Sequence, residues 1–206
     1  MLKVWGRTNS TNVKKVLWCA DELGIEIERI DAGGEFGIVD DPDYRALNPN
    51  GLVPCLQDGA LVLWESNAIV RYLMAQYGKE PLAAREPARR AEADKWMDWA
   101  TSSFSAPFRD VFLNTVRLPP DQRDSAMRDR GIAECSALLA RVDAVLAGQS
   151  WLSGDTPGMG DIPLGCMAYA WFEMPIQRPA LAHLERWYQR LTERDAYQRQ
   201  VMTPLT

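Results

Sequence analysis

The spacing of apolar and polar residues changes repeatedly over the first third of the chain and then settles into one period. Leu2 to Gly6 is short and apolar, the signature of a strand. From Val13 the apolar residues fall at Val13, Val16, Leu17, Ala20 and Leu23, one face of a helix that Gly24 stops. Ile25 and Ile27 alternate with Glu26 and Glu28, which predicts a second strand. A loop holding Gly33-Gly34 and Asp40-Asp41-Pro42 follows. Val53 to Gln57 and Leu61 to Leu63 then predict a hairpin across Asp58-Gly59. Ser66 is expected to cap a helix running through Ile69, Val70, Leu73 and Tyr77 to Gly78.

This β-α-β, loop, β-β-α order implies a mixed sheet covered by helices, the order of a thioredoxin-like domain, over residues 1–78. Residues 79–87, with two prolines and mixed charge, read as a linker. Residues 88–206 are helical in pattern throughout, so the fold class is α/β followed by an all-α bundle. Within the bundle, Leu118-Pro119-Pro120 interrupts a helix that contains Trp96 and Trp99. Asp121 is expected to begin a long helix toward Gly148, Asp161 an apolar helix through Trp171, and the last helix to span about Pro179 to Arg194.

Composition narrows the function. The 206 residues are 47% hydrophobic and 25% charged, enough to bury a core and too apolar for disorder. A net charge of −5 argues against non-specific nucleic-acid binding. No apolar run reaches the roughly 18 residues of a membrane span. The opening Met1-Leu2-Lys3-Val4-Trp5-Gly6 lacks the apolar core of a signal peptide, so a cytoplasmic location is expected. Cys19, Cys55, Cys135 and Cys166 are scattered, without a CxxC pair or a nearby histidine, so no metal or dithiol site is expected and each reads as a buried thiol. His183 is the only histidine, and it lies far down the chain in a helical stretch.

Three clusters in the first domain carry candidate chemistry. Ser10-Thr11-Asn12 stands between a strand and a helix, where outward-facing amides and the helix dipole favour an anion; the competing reading is an ordinary helix cap. Val53-Pro54 opens a strand, and a cis bond there would let the main chain of Val53 face a peptide ligand; the competing reading is a trans turn proline. Glu65-Ser66 precedes a helix. Ser66 and the helix amides suit a carboxylate, Glu65 suits an ammonium group, and together they match an amino-acid head; the alternative is a cap beside a solvated acid.

In this order on this frame, the clusters resemble the cytosolic glutathione transferases, over essentially the whole chain. Asn48-Pro49-Asn50-Gly51-Leu52-Val53-Pro54 is similar to the family's loop and cis-proline segment, and Glu65-Ser66-Asn67-Ala68-Ile69 to its glutamyl-binding segment. Gly160-Asp161-Ile162-Pro163-Leu164-Gly165 is similar to its second-domain helix cap, and Trp187-Tyr188 with Arg190-Leu191 and Arg194 to its closing helix. More narrowly, Gly6 to Lys15 and Trp96-Met97-Asp98-Trp99 resemble a bacterial GstB-like subgroup. Two positions depart from the pattern. Leu52 stands where many relatives carry Lys, Arg or Gln near the glycyl carboxylate, and Gly158 replaces a Ser or Thr cap three residues before Asp161.

The resemblance implies glutathione as co-substrate, with no metal. Ser10, aided by Asn12, would stabilise the thiolate. Asn50, Leu52, Val53, Pro54, Glu65 and Ser66 would line the glutathione site. The family implies a homodimer, with aromatic and Met residues of the helix from Trp96 as interface material. Phe104 and Phe108, four apart, are expected to share a helix face in the electrophile pocket if Pro107 does not break the helix, with Arg109 meeting an anionic group of a small substrate; the competing reading, since helical aromatic spacing usually means core, makes both rings core and Arg109 a solvated charge. The alternatives are a glutathione-dependent disulfide oxidoreductase and a non-catalytic binding module.

Overall fold

The computed structural model describes all 206 residues, Met1–Thr206. Strand β1 (Leu2–Trp5) leads into helix α1 (Thr11–Glu22), and β2 (Ile27–Ile30) returns parallel to β1, with Val4 opposite Arg29. Strands β3 (Cys55–Asp58) and β4 (Leu61–Trp64) form the antiparallel hairpin, Asp58 opposite Leu61. Gly59, at φ 58°, takes the left-handed turn position that a two-residue hairpin loop requires. The sheet order is β2-β1-β3-β4, and α3 (Ser66–Tyr77) closes the thioredoxin-like arrangement. The sequence pattern missed a six-residue helix, α2 (Pro42–Leu47), inside the Gly- and Asp-rich loop. Pro42 occupies its first turn, where the absent N–H costs nothing.

Helices α4 (Pro87–Trp99) and α5 (Ser105–Phe112) form one continuous rod with two wider π-helical turns, Ala100–Phe104 and Leu113–Arg117. The first lies just before Pro107, whose ring cannot donate to the preceding turn, and the widened turn absorbs that defect instead of breaking the helix. Four ring pairs run along the rod: Trp96–Trp99, Trp99–Phe104, Phe104–Phe108 and Phe108–Phe112, with centroids 5.4, 6.0, 5.7 and 6.1 Å apart. The long helix expected from Asp121 begins later, as α6 (Ser125–Leu146), because Asp124 caps it by accepting from the Met127 N–H at 2.9 Å. Helix α7 (Asp161–Glu173) is buried on nearly every side. The helix expected over about Pro179 to Arg194 is α8 (Ala182–Thr192), and a further short helix, α9 (Asp195–Gln200), follows it unforeseen. No helix is long and apolar enough to cross a membrane.

One apolar core of 40 buried residues runs from the sheet into the bundle, joining Val4, Val16 and Leu73 to Trp187, Leu191 and Tyr197. Helix α1 is the shared element. At its end, Arg194 grips Glu22 through two hydrogen bonds of 2.7 and 2.5 Å, and Arg199 and Gln200 hold Asp21. Asp161 is the buried polar anchor of the bundle. Its carboxylate accepts from the N–H groups of Leu152, Ser153 and Gly158 and from the Trp187 indole, at 2.7, 3.3, 3.1 and 2.8 Å. At Gly158 a Cβ would stand 3.0 Å from Ser153 Oγ, so a Ser or Thr there would require Ser153 to give way. Ser153 supplies the local hydroxyl instead, accepting from the Gly160 N–H at 3.0 Å.

Candidate functional site

The loop from β1 to α1 is pressed onto the helix it feeds: a Cβ at Gly6 would lie 2.4 Å from Val13 Cγ2. This delivers Ser10 to the N-cap position of α1 with extended backbone (φ −87°, ψ 120°), yet its side chain makes no capping hydrogen bond. The cap reading of Ser10 therefore fails at the level of the side chain. The residue is 9% exposed and lines a cavity of about 270 Å³ between the start of α1 and helix α5. Asn12 lines the same cavity.

The N-terminus of α3 converges on that of α1. Ser66 Oγ donates to Asn12 Oδ1 at 3.3 Å. Ser66 is the first helical residue rather than the cap; Glu65 holds the cap position, at φ 70°, with no side-chain cap bond. A non-glycine residue in this left-handed region costs of order 1–3 kcal/mol and persists where its surroundings fix it, most often at functional sites. The first amides of α3 thus point outward without a side chain covering them, with the Glu65 carboxylate exposed beside them. The Val53–Pro54 peptide bond is cis. Leu52 is 64% exposed, and its main-chain oxygen accepts from Tyr44 and Asn48 at 2.6 and 2.7 Å. Asn50 is exposed, its amide donating to Asn48 Oδ1 at 3.0 Å.

Two buried cations at this junction were missed by the pattern of the sequence. Lys15 Nζ lies 3.5 Å from both Ser66 Oγ and Asn67 Oδ1, and burial pulls its ammonium below the usual lysine range, opposed by Cys166 and Glu65. Lys14 Nζ donates to the Val201 main-chain oxygen at 2.9 Å and sits 5.4 Å from the Tyr169 ring centroid. Both read as part of an ordinary solvated helix start. Only the arrival of α3 and α7 over α1 buries them.

The far wall of the cavity departs from expectation in one residue. Phe108 and Arg109 line it, but Phe104 is fully buried and belongs to the core. Its ring stacks on Phe108 at 24°, so the two share a face as predicted, yet the π-helical turn sets Phe104 deeper in the bundle. Arg7, Phe112 and Arg117 complete the wall, and none was singled out from sequence. Of the interface candidates on α4, Met97 is core, whereas Trp96 and Trp99 are half-buried.

All four cysteines are free and buried. Burial raises each thiol: Cys55 to about 11, Cys135 and Cys166 to about 12, and Cys19 further still. His183 lies on α8 beside Arg186 and does not line the cavity. No group of histidine, cysteine and acidic side chains is placed to hold a metal ion.

Comparison with known proteins gives this geometry its context. Residues 1–75 match the family description "Glutathione S-transferase, N-terminal domain" and residues 92–195 match "Glutathione S-transferase, C-terminal domain". The chain is 51% identical to glutathione S-transferase GstB of Escherichia coli K12, covering 100% of both proteins. It is 28% identical to glutathione S-transferase 4 of Zea mays, covering 95% of this chain and 89% of that one. Among solved structures it superposes on the theta class glutathione S-transferase of Xanthomonas axonopodis pv. citri, crystallised with glutathione bound. That match has a TM-score of 0.96 and 59% identity, covering 100% of this chain and 99% of the other.

Proposed function

The chain belongs to the glutathione S-transferase family, and from that premise we propose that it binds glutathione across the N-termini of α1 and α3 and ionises its thiol for attack on a small electrophile. The observation that carries this reading is the Ser10 hydroxyl, held at the start of α1, uncommitted to capping, beside the cavity. A free thiol has a pKa near 8.5, so at neutral pH it is mostly protonated. Ser10 is no base, and no histidine lines the cavity to assist it. What Ser10 does is donate a hydrogen bond to the sulfur anion. A charge-assisted bond of about 1.5–3 kcal/mol, added to the dipole of α1, lowers a thiol pKa by about one to two units. The amide nitrogen of Asn12 shares the task, since its oxygen is already engaged by Ser66.

Glutathione's glutamyl head takes the outward amides of α3 and the Ser66 hydroxyl with its carboxylate, and Glu65 with its ammonium. The main chain of Val53, flanked by Pro54, pairs with the cysteinyl unit, and Asn50 and Leu52 border the glycyl end. The electrophile enters between Ser10 and α5, on Phe108 and Arg109. In this reading residues 1–78 form the glutathione-binding domain, 79–87 the linker and 88–206 the electrophile-binding domain, in a cytoplasmic homodimer. Leu61 and Trp64, exposed on the outermost strand, support a surface that a second copy would cover.

The test is retention on immobilised glutathione, followed by assays with an aryl halide and with a mixed disulfide. Retention with conjugation of the halide is expected. Faster turnover of the disulfide would reassign the thiolate to exchange chemistry. Failure to be retained would make the chain a non-catalytic module.

A further inference from the structure

The cavity beside Ser10 has a charge that the chain as a whole does not predict. The protein carries a net −5, yet Arg7, Lys15, Arg109 and Arg117 all line this one space of about 270 Å³, and no carboxylate does. Two of these cations, Arg7 and Arg109, form neither an ion pair nor a hydrogen bond with the protein. Arg117 is fixed in place, its guanidinium donating to the main-chain oxygens of Thr206 and Asn9 while lying 5.1 Å from the Phe112 ring centroid. Burial first, and the charge of Arg7 second, draw the Arg117 guanidinium below its usual range. Like charges gathered around a space that no carboxylate lines repel one another, and an anionic ligand offsets that repulsion.

We propose that this wall selects the second substrate by charge: Arg109 and Arg117, with Arg7 beside them, hold the carboxylate of a small aromatic electrophile whose ring lies against Phe108 and Phe112. This rests on the transferase reading above and names the substrate class of that same site. A planar guanidinium fork matches a carboxylate in two hydrogen bonds, and the edges of the two stacked phenylalanine rings offer an apolar wall beside it. With an aryl chloride, the glutathione sulfur bonds to the ring carbon, chloride departs with the bonding pair, and the thiol proton has already passed to solvent.

The experiment uses the full-length protein at saturating glutathione with a chloronitrobenzoate and the matching chloronitrobenzamide. The kcat/KM for each is divided by its uncatalysed rate constant with glutathione, which removes the difference in ring activation. The acid is expected to lead the amide by roughly tenfold or more, the worth of one charge-assisted bond. Arg109→Gln and Arg117→Gln should each bring that ratio toward one, and added salt should shrink it. A wild-type ratio near one overturns the proposal, as does a ratio that survives both substitutions. A higher glutathione KM at an unchanged ratio in Arg117→Gln or Arg7→Gln also overturns it, assigning these arginines to glutathione's own carboxylates. Retention on immobilised glutathione with equal turnover of both substrates defeats this proposal alone. No retention and no turnover defeats the transferase reading with it.

Discussion

Replacing Ser10 by alanine separates chemistry from stability, because the structure assigns the side chain no structural bond. An N-cap serine that bonds to the helix amides costs about 1 kcal/mol when truncated. Ser10 occupies the cap position but makes no such bond, so Ser10→Ala should shift the urea midpoint by less than about 0.5 kcal/mol equivalent. In the proposed mechanism the hydroxyl acts on the thiolate. Losing a charge-assisted bond of about 1.5–3 kcal/mol should raise the pKa of bound glutathione by about one to two units and cut kcat/KM at neutral pH by roughly ten- to a hundredfold. The thiolate absorbs in the ultraviolet, so a pH titration of the binary complex reads the pKa directly and a pH–rate profile reads it again under turnover. Three outcomes refute the reasoning: an unchanged thiol pKa, an unchanged rate, or a stability loss the size of a cap. The first two would move the role to Asn12, whose amide nitrogen faces no protein acceptor.

Three further outcomes follow from other contacts. Ser66→Ala should weaken glutathione binding by roughly tenfold in calorimetry, while removing its 3.3 Å bond to Asn12 and its 3.5 Å bond from Lys15; unchanged affinity would leave Ser66 a mere helix residue. Asp161→Ala orphans the N–H groups of Leu152, Ser153, Gly158 and the Trp187 indole, and should cost about 3 kcal/mol or more in denaturant unfolding. Asp21 is held below the usual carboxylate range by its hydrogen bond from Arg199, so its contribution is present above its unfolded pKa near 3.9 and is lost as pH falls through its lower folded value. Asp21→Asn should thus lower stability near pH 7 by about 0.2–1 kcal/mol, and the gap to wild type should close as pH falls from the unfolded pKa through the lower folded one; a gap that persists in acid would contradict the ion pair.

What the sequence made legible, and what it hid, divides along physical lines. The strands, α1, α3 and the bundle were written in local period, since a two-residue or 3.6-residue repeat reports its buried face without reference to distant residues. The two wide turns of the α4–α5 rod were not, because a turn of extra width shifts the phase of everything after it. Phe104 was therefore assigned to the pocket when the phase puts it in the core. Ser10, Glu65 and Ser66 were readable as polar residues beside helix starts, and the structure sets those two starts side by side, Ser66 donating to Asn12 while Ser10 lines the cavity. Lys14 and Lys15 near the start of α1, Arg7 in the loop before it and Arg117 at the end of the α4–α5 rod were not, since a cation looks solvated in sequence until other elements arrive over it. The positive φ of Glu65 was equally hidden, because no local signal marks a non-glycine residue held left-handed by its neighbours.

The buried cysteines have a consequence for an enzyme that handles electrophiles. A thiol at about 12 is ionised to roughly one part in a hundred thousand at neutral pH, whereas a free thiol near 8.5 reaches roughly one in thirty. In the proposed mechanism Ser10 widens that gap further from the substrate's side. Every sulfhydryl in the protein is withdrawn from solvent and held protonated, so an alkylating compound arriving at the molecule meets one reactive sulfur, the one carried in by glutathione. In the transferase reading, none of the four thiols is both ionised and within reach of an alkylating substrate.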